Sequence, residues 1–184
     1  FGEYQRAASL MGARFVEFQT SPENSFQVDP SSLEKSLAEQ EPKLFFICNP
    51  NNPTGAMLSA EDVMALVKAF PQTLFAIDEA YIAFAERDES VVAYRAENLL
   101  ILRSVTKDYA LAGLRLGYAV GDTRVIEAVQ RVRPAWNVNA MAQAAGLAAI
   151  GDEAYFQDTM NKLRTAELDF RSKLAALDAE LVPS

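Results

Sequence analysis

Short runs of consecutive apolar residues alternate along this chain with stretches whose apolar residues recur every three to four positions. The runs Leu44-Phe-Phe-Ile-Cys48, Leu74-Phe-Ala-Ile77 and Leu99-Leu-Ile-Leu102 are too short for buried helices and have no polar face. They predict strands covered on both sides. Weaker strand patterns lie at 13–18 and 116–120. The helical period predicts helices over 3–11, 31–40, 59–70, 125–132, 140–150 and 153–177. Pro30 with a Ser-Ser cap opens the second of these, and Ser59 with Asp62 three residues later gives the third a capping-box start. In the last helix Phe156, Met160, Leu163, Leu168 and Leu174 fall roughly on one side.

Buried strands alternating with helices predict an α/β fold, a mostly parallel mixed sheet with helices on both faces. Residues 1–150 read as one domain and 151–184 as a long helix leading toward a further domain. The chain opens at Phe1, without an initiator Met, in structured-looking sequence, and it reads as a piece of a longer protein. Ligands in such sheets sit beyond the carboxyl ends of the strands, which singles out 49–55, 78–81 and 104–115.

Composition removes several kinds of chemistry. The 184 residues, 50% hydrophobic and 23% charged, suffice for one domain with a core. A net charge of −8 lacks the basic face that a nucleic-acid binder needs. No apolar run reaches the roughly eighteen residues of a membrane span, and no signal-peptide pattern is present. The single cysteine, Cys48, excludes an internal disulfide and a multi-cysteine metal site and suits a reducing cytoplasm. Histidine is absent, which excludes Ser-His-Asp triads, Cys-His dyads and the common zinc sites. No glycine-rich phosphate loop follows a strand, which speaks against a nucleotide-binding domain. Lysine, whose neutral amine is a good nucleophile, stands out among what remains.

Each strand end carries chemistry. Ser104-Val-Thr-Lys107 follows the third apolar run and precedes Arg115. A lysine there is expected to be partly desolvated, as imine formation with an aldehyde favours. Ser104, Thr106 and the Arg115 guanidinium suit a phosphate. Asp78-Glu-Ala-Tyr81 ends the second run: Asp78 could face a pyridinium nitrogen and Tyr81 a phenolic oxygen. Asn49-Pro-Asn-Asn-Pro-Thr-Gly55 forces turn or extended geometry around two prolines, and either X-Pro bond can be cis. Taken singly, these residues also read as loop charges, a helix cap and a plain turn.

The order Asn-Asn-Pro-Thr-Gly, Asp-Glu-Ala-Tyr and Ser-x-Thr-Lys, with an arginine eight residues after the lysine, resembles the class I/II aminotransferase family of fold-type-I pyridoxal-phosphate (PLP) enzymes. The resemblance covers nearly the whole chain. It implies that Lys107 forms the Schiff base with PLP and that Asp78 pairs with the pyridine nitrogen. It implies that Tyr81 and Asn52 hydrogen-bond the ring's phenolic oxygen, that Ser104, Thr106 and Arg115 bind the phosphate, and that Phe1 stacks on the ring. Within the family the chain is similar to the histidinol-phosphate aminotransferase branch. Phe1-Gly-Glu-Tyr4, Tyr109 and Trp136 look more like the threonine-phosphate decarboxylases of cobalamin biosynthesis in that branch, while Asp108 and Ala135 fit neither pattern well.

Either relationship implies a small phosphorylated amino-acid substrate, a cytoplasmic homodimer, and Asn137 as a candidate substrate contact or, alternatively, a helix cap. The resemblance also implies a preceding segment with a further phosphate-binding turn and a following small domain. This stretch alone is therefore expected to turn over little or not at all. A non-catalytic remnant of the fold is the competing reading, and the intact Lys107, Asp78, Asn52, Tyr81 and Arg115 argue against it.

Overall fold

The structure, a computed structural model, describes residues 2–87 and 89–177. Four strands, β1 (Leu44–Cys48), β2 (Leu74–Asp78), β3 (Leu99–Ser104) and β4 (Gly117–Gly121), form one sheet in the order β1-β2-β3-β4. The β1–β2 and β2–β3 pairs are parallel and β3–β4 is antiparallel. This is the mostly parallel mixed sheet expected from the alternating pattern. Six helices accompany it among the described residues: α1 (Glu3–Leu10), α2 (Pro30–Gln40), α3 (Ala60–Ala69), α4 (Thr123–Val132), α5 (Ala140–Ile150) and α6 (Glu153–Ala175).

Strand alternation divides the side chains between two faces. Phe45, Ile47, Phe75, Ile77, Leu99 and Ile101 share one face, which Leu33 and Leu37 of α2 and Val63, Leu66 and Val67 of α3 close over. Full burial of each such side chain contributes roughly 1.5–3 kcal/mol, and this cluster is the main core. Phe46, Cys48, Ala76, Asp78, Leu100 and Leu102 share the other face by register. Helix α1 covers part of it, with the Tyr4 ring stacked on Phe46 at 4.8 Å between centroids. The central residues of β2 and the first half of β3 are thus buried on both sides, while β1 at the sheet edge is half-buried.

Three details of the sequence reading change. Residues 13–18 belong to no helix or strand among the described residues, because an apolar pattern makes a strand only where a neighbouring edge supplies a ladder. The cap of α2 is Asp29, not the serine pair: its carboxylate accepts the backbone N–H groups and the hydroxyls of Ser31 and Ser32. In α6 the apolar side divides along its length. Met160 is buried and Phe156 half-buried, while Leu163 and Leu168 are exposed.

The α3 start is close to expectation. Ser59 Oγ accepts the Asp62 N–H at 3.0 Å, but Asp62 takes the Ser59 hydroxyl at 2.7 Å rather than reaching the backbone N–H of a full capping box. Helix α6 forms over most of the predicted span, and residues 178–184 lie outside the described part.

Candidate active site

The carboxyl ends of β1, β2 and β3 point the same way, and the segments that follow them carry the candidate residues. Asp78 is the last residue of β2, in register with Cys48 of β1 and Leu102 of β3. One of its oxygens, Oδ1, accepts the Ala80 N–H at 3.1 Å, and the other, Oδ2, accepts the Tyr4 hydroxyl at 2.5 Å. Each carboxylate oxygen has two acceptor sites, so both retain capacity for a further donor. The sequence reading used Tyr4 only as part of a motif and missed this contact. The signal was faint: a lone tyrosine in an otherwise polar helical turn.

The loop after β1 is clamped from within. Asn49 is 1% exposed, and its amide donates to the Leu58 carbonyl at 3.0 Å while its oxygen accepts the Leu58 N–H at 2.8 Å. Asn51 donates to Thr54 Oγ1 at 2.8 Å. Both Asn-Pro bonds, Asn49–Pro50 and Asn52–Pro53, are cis. The Asn49 N–H donates to the Asp78 carbonyl at 2.9 Å, and by side chain it is Asn52 that reaches another strand-end segment, donating to the Tyr81 hydroxyl at 3.3 Å. The Tyr81 ring in turn faces Lys107, whose Nζ lies 5.2 Å from the ring centroid. One chain of contacts therefore joins all three predicted strand-end segments.

Ser104 ends β3 on the Asp78 face, two positions beyond the Asp78–Leu102 pairing. Its hydroxyl lies 2.7 Å from Thr106 Oγ1 and accepts the Thr106 N–H at 3.2 Å. The hydroxyl pair is held by a local turn that leaves its remaining hydrogen-bonding capacity for another group. Arg115 is exposed in a left-handed conformation (φ 54°), and its guanidinium donates to the Ala112 carbonyl at 3.1 Å.

Two expectations need correction. Among the described residues Lys107 is exposed rather than desolvated: it lies three residues past β3 in a turn that their sheet and helices do not cover. The neighbour beside its ammonium is the Tyr81 ring, in a cation–π arrangement. Asn137 is also exposed, in the segment between α4 and α5, and the cap of α5 is Asn139, which accepts the Ala142 N–H at 2.8 Å. Phe1 lies outside the described residues.

Asp108, beside Lys107, is half-buried. Burial pushes its carboxyl upward, against the pull of its hydrogen bonds and of Arg103 and Lys107. A cleft of about 710 Å³ adjoins the cluster. Asn52 and Tyr81 line it, together with Met57, Phe84 and Glu167, whereas Lys107, Asp78 and Ser104 do not. Among the described residues no group of acids and cysteine could hold a metal ion, and no helix is long and apolar enough to cross a membrane.

An amine, a carboxylate, a phenol, an amide and a hydroxyl pair at one rim of a mostly parallel sheet define a class of site suited to a small planar ligand with a phosphate tail. The chain belongs to the aminotransferase class I and II family, whose model matches residues 1–184. It is 38% identical to a histidinol-phosphate aminotransferase of Anaeromyxobacter, over 100% of this chain and 51% of that protein. Further histidinol-phosphate aminotransferases match at 29% and 39% identity.

Among solved structures, the histidinol-phosphate aminotransferase of Sinorhizobium meliloti in complex with pyridoxal-5'-phosphate superposes with a TM-score of 0.91 at 26% identity, covering all of this chain and 50% of that one. The L-threonine-O-3-phosphate decarboxylase of Porphyromonas gingivalis superposes with a TM-score of 0.79 at 27% identity, covering all of this chain and 55% of that one. The chain spans about half the length of the curated relatives it matches.

Proposed function

We propose that this chain is the greater part of the cofactor-binding domain of a PLP-dependent aminotransferase acting on a small phosphorylated substrate. The observation that carries the reading is the Asn52–Tyr81–Lys107 chain of contacts at the sheet rim. The donor set fits the cofactor. Lys107 offers an amine for the aldehyde, and Asp78 has open acceptor capacity for a ring N–H. Asn52 and Tyr81 offer donors for a ring oxygen, while Ser104, Thr106 and Arg115 suit the phosphate.

Bound, PLP supplies an aldehyde that condenses with amines and a ring that accepts electron density from a substrate carbon. The chain's own residues do the rest. Lys107 would hold the aldehyde through its amine and would move a proton at the substrate Cα. Asp78 would face the ring nitrogen and keep it protonated, and Tyr4, which donates to that carboxylate, would steady it.

The names of the relatives and the higher TM-score favour transamination of a histidinol-phosphate-like substrate. A second reading, decarboxylation of a threonine-phosphate-like substrate in cobalamin biosynthesis, rests on the motifs around Tyr109 and Trp136. In the structure Tyr109 packs on Tyr155 and Phe156 of α6, and Trp136 is 97% exposed, so support from these two side chains is indirect. We also propose a cytoplasmic homodimer, with residues 1–150 in the cofactor domain and α6 leading toward a smaller one.

The test uses the full-length protein. Adding PLP should raise a near-visible absorption band, and borohydride should fix the cofactor on Lys107; no band, or reduction at another lysine, overturns the assignment. Amino transfer from histidinol phosphate to a 2-oxo acid selects the first reading. Carbon dioxide released from O-phosphothreonine selects the second.

A further inference from the structure

Among the described residues one ion pair has a fully buried member, and it lies outside the residues assigned above. Glu79 follows Asp78 directly, and its side chain is 0% exposed. Oε1 accepts the Val91 N–H at 2.7 Å, and Oε2 accepts the Ser90 hydroxyl and Arg103 Nη1, both at 2.7 Å. The Glu79 amide donates to the Leu102 carbonyl at 2.9 Å. Arg103, on β3, immediately precedes Ser104 and stands four residues before Lys107. Burial works against its charge, but the Glu79 carboxylate and the Tyr118 phenol together hold the guanidinium above its ordinary value.

Apolar side chains could fill the same space without desolvating a carboxylate, so a buried pair is weak evidence for stability as such. Its location suggests another role. The β2–β3 ladder ends at the Asp78–Leu102 pairing. One further backbone bond, from the Glu79 N–H to the Leu102 carbonyl, follows it, and past that bond the ladder no longer ties the segment carrying Tyr81 to the one carrying Lys107. The Glu79–Arg103 contact takes over where the ladder stops, and Ser90 and Val91 draw the following loop into the same network.

We propose that the Glu79–Arg103 pair is a positioning device for the reaction centre: it locks the end of β2, with Asp78 and Tyr81, to the end of β3, with Ser104 and Lys107. The Lys107 amine is thereby held at a set place against the Tyr81 ring. This inference rests on the reading of Lys107 given above. Neither Glu79 nor Arg103 needs to touch the cofactor, because side chains behind a reacting group set its placement through the groups they hold.

The test compares full-length parent protein with Glu79→Gln and Arg103→Lys. Cofactor affinity is read by titrating the near-visible band, and the pH midpoint of that band reports the surroundings of the Lys107 nitrogen. Melting temperature is recorded alongside as the measure of a purely structural role. Glu79→Gln is expected to bind the cofactor about tenfold more weakly and to show a displaced pH midpoint. Arg103→Lys, which keeps the cation, should fall between it and the parent. Variants that melt earlier yet bind and titrate as the parent does overturn the proposal. If Glu79→Gln does not fold, Arg103→Lys decides by the same two measurements. Absence of the band in the parent overturns the Lys107 reading, whereas a parent band that neither variant moves overturns only the role of the pair.

Discussion

Tyr4 donates its hydroxyl hydrogen to Oδ2 of Asp78 at 2.5 Å, joining α1 to the end of β2 across 74 positions of sequence. Its ring lies flat on Phe46, so the phenol is held in place from below while its oxygen meets the carboxylate. Burial first, then the Asp78 carboxylate and the Cys48 thiol, hold this phenol far above its ordinary value.

The contact predicts an alkaline signature. Above about pH 10 the unfolded chain releases the Tyr4 proton while the folded protein keeps it. The folded state then binds more protons than the unfolded one, so stability falls as pH rises past that point. Tyr4→Phe is expected to remove this residue's share of the slope. At neutral pH it should cost about 1.5–3 kcal/mol, the usual worth of a hydrogen bond to a charged group. Urea unfolding of both proteins from pH 7 to 11 checks this; identical slopes would mean that Tyr4 titrates as an ordinary tyrosine.

Asn49 supplies a second prediction, because its side chain completes a two-way bond with the Leu58 backbone in a buried place. Asn49→Ala leaves the Leu58 N–H and carbonyl without these partners, and an orphaned buried group costs about 1–3 kcal/mol. Asn49→Asp restores the acceptor but sets its second, charged oxygen against the Leu58 carbonyl in a buried place, and should destabilise at least as much as alanine. The loop so loosened carries Asn52, so the Asn52–Tyr81 contact should weaken as well. Unfolding midpoints rank the three proteins, and the Tyr81 ring resonances report the loop; a midpoint for alanine equal to the parent's would remove the clamp from the account.

The two legible features were those written in local sequence. Unbroken apolar runs marked β1, β2 and β3, buried on both faces through β2 and the start of β3 and half-buried along β1, and the three motifs marked the segments at their ends. What escaped depended on pairing at a distance. The antiparallel direction of β4 has no local signature, and residues 13–18 carry a strand-like pattern without a ladder partner among the described residues.

Glu79 enters the sequence reading only as part of the Asp-Glu-Ala-Tyr motif, with no role of its own. The available hint was a charged residue closing each of two adjacent apolar strands, Glu79 after β2 and Arg103 inside β3, and only the register shows that they meet. Lys107 was expected to be desolvated on the strength of the strand before it, yet burial is set by what covers a turn, which the turn's own residues do not reveal.

Close packing at the β3–β4 junction gives the last prediction. Gly117 pairs with Ser104 in the ladder, and a Cβ built on it would lie 2.8 Å from the Arg103 carbonyl oxygen, a backbone atom that cannot swing away. Gly113, four residues earlier in the same connection, has nothing within 4 Å of the equivalent position. Gly117→Ala should therefore force β4 off β3, at the roughly 1–3 kcal/mol typical of overpacking. It should also disturb Ser104 and the Ser104–Thr106 hydroxyl pair. Gly113→Ala meets no obstacle and should be neutral, or slightly stabilising through the unfolded chain. Unfolding midpoints of the two variants, with phosphate-competition binding as a readout of the hydroxyl pair, separate the cases. Equal midpoints would show that the two strands sit farther apart in solution than the 2.8 Å approach requires.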